Sequence, residues 1–257
     1  MASYEKIAKK HTREKKLIKI VVLCLLLILA ITFITYAVSL LNQNMGGLTI
    51  NLTYRGVDPG GLSLFERRTF INPTSSLTVA PLKHDMTNIT YTWFGDSLPS
   101  IEDIDDIDGS WHYMASGSKE VSFLSYTFYV MNSTMESDIT YSSSINLLSQ
   151  AKGVAEAVRI IIVEDELAYT TPGNTRKHTI YGKKAQDGIG EDGSGLDPLT
   201  DIAFRDGKTI IYDEKTLKPG EAHKYTIILY LEGEDPECIN DILGGMIRMS
   251  WDFLVIS

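Results

Sequence analysis

The sequence predicts an all-β protein, an antiparallel β-sandwich of the jelly-roll or immunoglobulin-like type, preceded by a single N-terminal transmembrane helix. Three observations support this fold class. After residue 42 the chain alternates apolar and polar residues in short runs rich in β-branched and aromatic side chains. That region contains neither an amphipathic helix pattern of three turns nor a β–α–β alternation. Near the N-terminus lies one long apolar run.

The apolar run at residues 20–41 contains no charged residue. A helix of this length measures roughly 33 Å, at about 1.5 Å per residue, and can cross a ~30 Å hydrocarbon core. Seven Lys and Arg residues precede the run, whereas the first basic residue after it is Arg55. Because positive charge stays in the cytoplasm, we predict a cytoplasmic basic leader at 1–19, a lipid-embedded signal anchor at 20–41 and a short stalk at 42–47.

Residues 48–257 are therefore predicted to form an extracellular domain, held at the cell membrane by a single pass. Small residues at Ala37 and Ser39 also fit signal-peptide cleavage, so a removed signal sequence is the alternative to a retained anchor. Residues 43–257 hold 17 basic and 31 acidic side chains, a formal charge of −14. Because such a body repels phosphate backbones, we expect no nucleic-acid partner.

Eight runs are predicted to be strands of the sandwich, and they end in turn-forming residues. They are residues 48–54, 75–82, 87–94, 121–132, 138–148, 157–166, 223–233 and 246–256. In the last run, Trp251 has the parity of Met249 and Phe253, which places its side chain in the core. His223, at the start of a strand, is predicted to be exposed. The Gly-rich, charged segment at 171–208 predicts a surface insertion with room for a short strand.

Two segments with acidic residues have some of the features of calcium loops. The first, "SIEDIDDIDGSW" at 100–111, fails the EF-hand pattern, because aligning Gly109 at position 6 puts Ile104 at position 1. It predicts a solvated acidic loop. The second, "GSGLDPL" at 193–199, is one copy of the Gly-x-Gly-x-Asp spacing of calcium-binding β-rolls, and one copy is not a repeat. No cofactor is predicted, calcium is the one ion these patterns allow, and its ligands are unknown.

The stretch "GEDPECINDILGG" at 233–245 predicts a helix of one or two turns. Asp235 and Pro236 are a helix start, and Ile239, Ile242 and Leu243 share one face, which would cap the sandwich. Calcium binding by its acidic residues is the alternative. The two cysteines, Cys24 and Cys238, cannot pair, because Cys24 lies in the apolar run. Cys238 is predicted to be a buried free thiol, with an intermolecular disulfide as the alternative.

Enzyme signatures are absent from the sequence. It contains no G-x-S-x-G, HExxH or P-loop motif, and its five histidines do not pair at ligand spacing. We therefore predict a non-enzymatic protein with no catalytic residue. A hydrolase that uses dispersed carboxylates is the enzymatic alternative.

Residues 121–257 carry a resemblance to known proteins, through their strand rhythm and the "LEGEDPEC…DILGG" stretch. They resemble exported surface proteins of Gram-positive-type bacteria, which are distantly similar to the TasA/camelysin class of biofilm-matrix proteins. The resemblance implies a jelly-roll or immunoglobulin-like sandwich, export across one membrane and a role in surface structure or fibre assembly. The chain departs from the class in one respect, since the matrix proteins carry short cleaved signals.

The leading functional prediction is a membrane-anchored, non-enzymatic cell-surface module that acts by binding or by structural self-association. Its partner is a second copy or another surface protein, bound through open sheet edges or through a first strand lent by residues 43–50. The alternative is a calcium-stabilised carbohydrate-binding module that uses Trp93, Trp111 and the loop at 100–109.

Overall fold

The computed structural model describes residues 19–34, 46–54, 61–80, 86, 88–92, 94, 100–110, 123–134, 136–167, 176–189 and 193–256. The chain divides into two compact units, and the second begins at Gly46. In the first unit, residues 19–34 form a helix, and every side chain of that helix is exposed. The rest of the predicted anchor, residues 35–41, lies outside the described residues. Within the described part of the chain, no helix is both long enough and apolar enough to cross a membrane.

The second unit is mostly β and forms two sheets, as the sequence predicts for a sandwich-like, all-β fold. Its described strands are β1 (Gly47–Tyr54), β2 (Leu62–Phe65), β3 (Ser76–Val79), β4 (Asn88–Ile89), β5 (Gly109–Ser110), β6 (Leu124–Asn132), β7 (Ile139–Ala151), β8 (Val158–Leu167), β9 (Lys177–Gly182), β10 (Ile202–Ala203), β11 (Thr209–Leu217), β12 (Ala222–Glu232) and β13 (Met246–Val255). A short α-helix, Ile101–Asp105, and a 3₁₀ turn, Asn240–Ile242, lie between strands.

The five-stranded sheet has the order β11-β7-β13-β1-β3. Its first strand in sequence, β1, pairs in parallel with the last strand, β13, and antiparallel with β3. The prediction of a wholly antiparallel sandwich is therefore wrong at this seam. The two ends of the domain meet here as neighbours, and a parallel pair needs a long connection, which nearly the whole domain provides.

The second sheet has the order β10-β9-β8-β12-β6-β2, with β4 beside β12 and β5 beside β6. Two further parallel pairs, β9 with β10 and β4 with β12, occur in it. Part of the predicted surface insertion at 171–208 belongs to this sheet, because β9 pairs antiparallel with β8. Strands β2 and β11 were not predicted from the sequence.

The main core lies between the two sheets. Leu48, Ile50 and Leu52 of β1 meet apolar side chains of β6, β8 and β12 there. Trp251 is buried in this core together with Met249 and Phe253, so the prediction from strand parity is confirmed. Alternation of apolar side chains across the pleat accounts for this placement.

A smaller core covers the other face of the second sheet. Ile161, Val163 and Ile228 of that sheet pack against Ile101 and Ile104 of the short helix. The predicted solvated loop at 100–109 is therefore wrong in part. Ser100 and Asp103 form reciprocal side-chain to backbone hydrogen bonds at the start of the helix, the pattern of a capping box. The apolar face of this helix therefore packs on the second sheet and is not solvated.

Two polar side chains near this helix are more buried than the sequence predicts. Asp105 accepts a hydrogen bond from Thr226 at 2.6 Å and forms ion pairs with Arg176 and Lys224 at 2.9 Å. His223 is buried, not exposed, and its Nδ1 lies 2.8 Å from the hydroxyl of Tyr141. Burial, followed by the charge of Lys215, lowers the pKa of His223 to about 4. Strand β12 is covered on both faces, which a single-strand pattern does not reveal.

Candidate functional site

The structure brings together two Asp-Pro steps that are distant in sequence. Asp197 precedes Pro198 in the segment between β9 and β10, and Asp235 precedes Pro236 just after β12. One carboxylate oxygen each from Asp197, Asp235 and Glu237 lies within 4.8 Å of the other two. We call these three residues the carboxylate cluster. It joins the "GSGLDPL" and "GEDPEC" stretches, each of which the sequence marks separately as acidic.

A buried arginine organises the cluster. Arg159 lies on β8 on the same side as Ile161 and Val163, and its side chain is 0% exposed. Its Nη2 donates to Asp235 Oδ2 at 2.6 Å, and Nη2 and Nε donate to the carbonyl oxygen of Pro198 at 3.0 and 3.2 Å. A charged group in such a position needs partners, and the two turns provide them. One guanidinium therefore holds both Asp-Pro turns in place.

The turn at Asp235 differs from the predicted helix. Asp235 Oδ1 accepts a hydrogen bond from the backbone N–H of Glu237 at 2.8 Å, and its carbonyl accepts from Cys238 N–H at 2.9 Å. Only a 3₁₀ turn, Asn240–Ile242, follows, and Ile239 and Leu243 are exposed. The predicted cap over the sandwich is thus wrong. The Asp235 carboxylate binds Arg159 as well as the turn, and so short a segment cannot offset the cost of nucleating an α-helix.

The turn at Asp197 is held in an uncommon backbone conformation. Leu199 has a φ of 55°, in the left-handed region that non-glycine residues rarely occupy. The hydrogen bonds from Arg159 to the Pro198 carbonyl fix this conformation. Asp197 itself is 6% exposed, and its carboxylate forms no hydrogen bond or ion pair with any described residue. Burial, and next the charge of Asp235, raises the pKa of Asp197.

Glu237 completes the cluster with a half-buried side chain. Its Oε2 is buried and has no hydrogen-bond partner among the described residues. A hydrogen bond with the Asp235 carboxyl group, followed by burial, raises the pKa of Glu237 to about 7. Nearby Glu232 shows the contrast, because it is fully buried yet accepts hydrogen bonds from Tyr230 and from the backbone of Glu234. Glu237 lacks such donors.

A cavity of about 350 Å³ opens beside the cluster. Asp197, Thr200, Tyr91 and His178 line it, and Tyr91 Oη lies 3.1 Å from His178 Nε2. Thr200 Oγ1 is buried and has no partner within the described chain. Asp197 and Thr200 therefore border a space that is large enough to hold water molecules.

The chemistry of the cluster is that of oxygen ligands. Carboxylates and a hydroxyl suit hard cations such as Ca²⁺ or Mg²⁺, and without an ion two close carboxyl groups share a proton. Tyr91 and His178 form a hydroxyl–imidazole pair on the wall of the cavity. The signal that the sequence offered, and that was missed, is Arg159, a lone charge inside the apolar run "AVRIIIV".

Asp105 and Cys238, which the structure describes, are not members of this cluster. Trp93 and Trp111, on which the carbohydrate prediction depends, lie outside the described residues. Asp105 has its own basic partners, Arg176 and Lys224. Cys238 is a free, half-buried thiol, and burial raises its pKa, which keeps it protonated at neutral pH.

Comparison with known proteins gives no family: no protein-family model matches the chain, and a search of curated proteins finds no relative. The resemblance to the TasA/camelysin class stays a prediction.

Proposed function

We propose that the protein is a non-enzymatic surface module, a jelly-roll or immunoglobulin-like sandwich that self-associates by exchanging β1 between copies. The observation that carries the proposal is the position of β1 inside the five-stranded sheet, paired on both sides between β13 and the edge strand β3. It enters between β13 and β3 although Asn51 and its neighbour Asp252 are 201 residues apart in sequence. A strand whose partner β13 is so distant in the chain can be supplied by another copy of the chain.

The sheet requires an occupant in this position. The side chains of Leu48, Ile50 and Leu52 are buried in the main core. Burial of one such side chain contributes about 1.5–3 kcal/mol, so an empty position loses roughly 5–9 kcal/mol from these three alone. That loss is comparable with the whole stability of a domain, about 5–15 kcal/mol. The position is therefore filled either by the chain's own β1 or by that of a neighbour.

A row of polar side chains on the outer face sets the register of the inserted strand. Asn51 Nδ2 donates to Asp252 Oδ1 at 2.9 Å, and Ser76 Oγ donates to Asn51 Oδ1 at 3.1 Å. On the far side, Asn146 Nδ2 donates to Asp252 Oδ2 at 3.0 Å. The row thus spans β3, β1, β13 and β7. Because a slip by one residue would turn Asn51 into the core, the row specifies one alignment for either copy's β1.

The anchor is part of the same proposal. Residues 20–41 are uncharged and follow seven basic residues, and the helix at 19–34 exposes apolar side chains along its length. We propose that they hold the module in the cell membrane, N-terminus inside and domain outside. In that arrangement β1 follows the anchor after a short stalk, and neighbouring copies present their first strands side by side. External protease digestion of a C-terminal tag on intact cells tests the orientation.

A disulfide pair across the seam tests strand exchange. Asn51 and Asp252 are register partners on β1 and β13, so N51C/D252C, in a chain with Cys24→Ser and Cys238→Ser, forms a disulfide between these strands. If copies exchange β1, oxidation gives dimers and longer ladders on a non-reducing gel. If each chain keeps its own β1, it gives monomers alone, which contradicts the proposal.

The matched control shares one of the two positions. Ser144 is the partner of Asp252 on the other side, on β7, so S144C/D252C removes the same aspartate. Both strands of this pair belong to the body of the domain. Oxidation should therefore give only an intramolecular disulfide, and ladders from the control would show random collision instead of exchange.

A further inference from the structure

Several carboxylates in the described part of the domain form an ion pair with a basic side chain. These pairs are Asp105 with Arg176 and Lys224, Asp235 with Arg159, Glu156 with Lys183, and Glu164 with Lys215. Asp197 and Glu237 have no such partner among the described residues, although Asp197 is only 6% exposed. Arg159 faces three carboxylates with a single positive charge. The region therefore lacks positive charge at a buried position, where it costs most.

The region around the carboxylate cluster also lacks hydrogen-bond partners for its buried oxygens. Glu237 Oε2 in the cluster and Thr200 Oγ1 on the wall of the cavity are both buried without a hydrogen-bond partner among the described residues. Buried polar atoms in folded proteins are nearly always satisfied, so an exception indicates a missing group. A water molecule would satisfy the oxygens, and a proton shared by two carboxyl groups would reduce their negative charge. A divalent cation does both.

We propose that Asp197, Asp235 and Glu237 bind one divalent cation, and that the ion is calcium. Two oxygens that share a Ca²⁺ ion at 2.3–2.6 Å are at most about 5 Å apart. One oxygen from each carboxylate lies within 4.8 Å of the others, which satisfies that limit. The Asp235 carboxylate has a second role, since Oδ2 binds Arg159 and Oδ1 binds the Glu237 N–H, and the ion shares these oxygens.

The surroundings favour calcium over a softer metal. The three ligands are carboxylates, which suit hard cations, whereas zinc prefers histidine nitrogen and cysteine sulfur. Calcium takes six to eight oxygens and accepts irregular geometry, so water from the 350 Å³ cavity completes its shell. Magnesium gives up its bound water reluctantly and is usually held by only one or two protein carboxylates, whereas this cluster offers three.

The bound ion joins two turns of the chain that meet at the cluster. One is the turn at Asp197, which follows the isolated bridge of Lys184 with Leu196, and the other is the turn after β12. Calcium therefore links the segment between β9 and β10 to the end of the central strand of the second sheet. This inference is independent of strand exchange, because the cluster lies in the other sheet from β1.

Calorimetric titration of the EDTA-treated full-length chain with calcium chloride tests the site. We expect one calcium per chain and, at 100 times the dissociation constant, a melting temperature about 5–10 °C higher than in EDTA. Asp197→Asn and Glu237→Gln should each weaken binding at least tenfold. Neither residue holds an ion pair in the described chain, so both variants should fold, which near-UV circular dichroism checks.

The matched control is Glu234→Gln. Glu234 lies in the same turn as Glu237 and is exposed, so this variant loses the same charge outside the cluster and should bind calcium like the parent. The proposal is overturned if calcium up to 10 mM produces no heat of binding, since this concentration covers the weak range of extracellular calcium modules, about 10⁻⁴–10⁻³ M. It is also overturned if Glu237→Gln and Glu234→Gln bind calcium equally well. Binding of magnesium without calcium contradicts the choice of ion.

Discussion

Replacing Arg159 by methionine should destabilise the domain more than almost any other single change. The side chain is fully buried, and methionine keeps its apolar stem while removing the guanidinium. Asp235 then loses its ion pair at 2.6 Å, and the carbonyl of Pro198 loses hydrogen bonds from two guanidinium nitrogens. What remains is a buried carboxylate without a counter-charge, beside two other carboxylates.

The expected magnitude follows from the loss of one partner in a buried ion pair, about 3–5 kcal/mol. A domain of this size melts roughly 2–4 °C lower for each kcal/mol lost, so the melting temperature should fall by about 6–20 °C. Asp235→Asn should cost a similar amount, because it leaves Arg159 charged and unpaired. The double variant should cost clearly less than the sum of the two, since neither charge is then isolated.

Urea unfolding in EDTA measures these free energies without interference from bound ions. The midpoint of Arg159→Met should shift while the slope stays the same. Lys208→Met is the control, because Lys208 is exposed and a change there should stay within about 0.5 kcal/mol. A loss of under 1 kcal/mol for Arg159→Met, or strict additivity in the double variant, would refute the reasoning.

Two further predictions concern pH and packing. The pKa of His223 falls from about 6.5 in the unfolded chain to about 4 on folding, so the unfolded state binds a proton at a higher pH than the folded state does. The free energy of unfolding should therefore be highest above pH 6.5 and should fall by about 3 kcal/mol as the pH is lowered to 4. His223→Gln should flatten urea stability between pH 7.5 and 4.5, and an unchanged profile counts against this. Gly182→Ala places a Cβ 2.6 Å from Thr200 Oγ1 and 2.9 Å from Arg159 Cδ, so the free energy of unfolding measured in urea should fall by about 1–3 kcal/mol. An unchanged free energy of unfolding contradicts this packing.

The long strands could be predicted because their burial follows a period of two or forms a continuous apolar run. Strand β12, "AHKYTIILYLE", is such a run, and Trp251 follows parity on β13. Strand β11, "TIIYDEKTL", was missed because it lies at the edge of its sheet and carries exposed charges on its outer face. A strand that is paired on one side only leaves little pattern in its sequence.

The short acidic helix could have been predicted in part. Ser100 and Asp103 have the spacing of a capping box, and Ile101 and Ile104 share one helical face. The burial of Asp105 could not be predicted from the sequence, because its partners Arg176 and Lys224 lie 71 and 119 residues away in the chain. Only the pairing of the second sheet brings those charges together.

The carboxylate cluster shows the same limit. Each Asp-Pro step predicts a turn on its own, but their meeting depends on β8 and β12, which pair so that Arg159 lies opposite Tyr230 near the end of the strand. Sequence spacing contains no trace of that register. The local clue was Arg159, since an arginine inside an apolar strand requires acceptors from elsewhere in the fold.

The most direct test of strand exchange uses two different chains, produced together. One carries Asn51→Cys and the other carries Asp252→Cys, both without the native cysteines. A disulfide between them forms only when β1 of the first chain lies beside β13 of the second. The account predicts a disulfide-linked heterodimer, while a mixture of Ser144→Cys and Asp252→Cys chains gives none. Two unlinked monomers from the Asn51→Cys and Asp252→Cys mixture would contradict it.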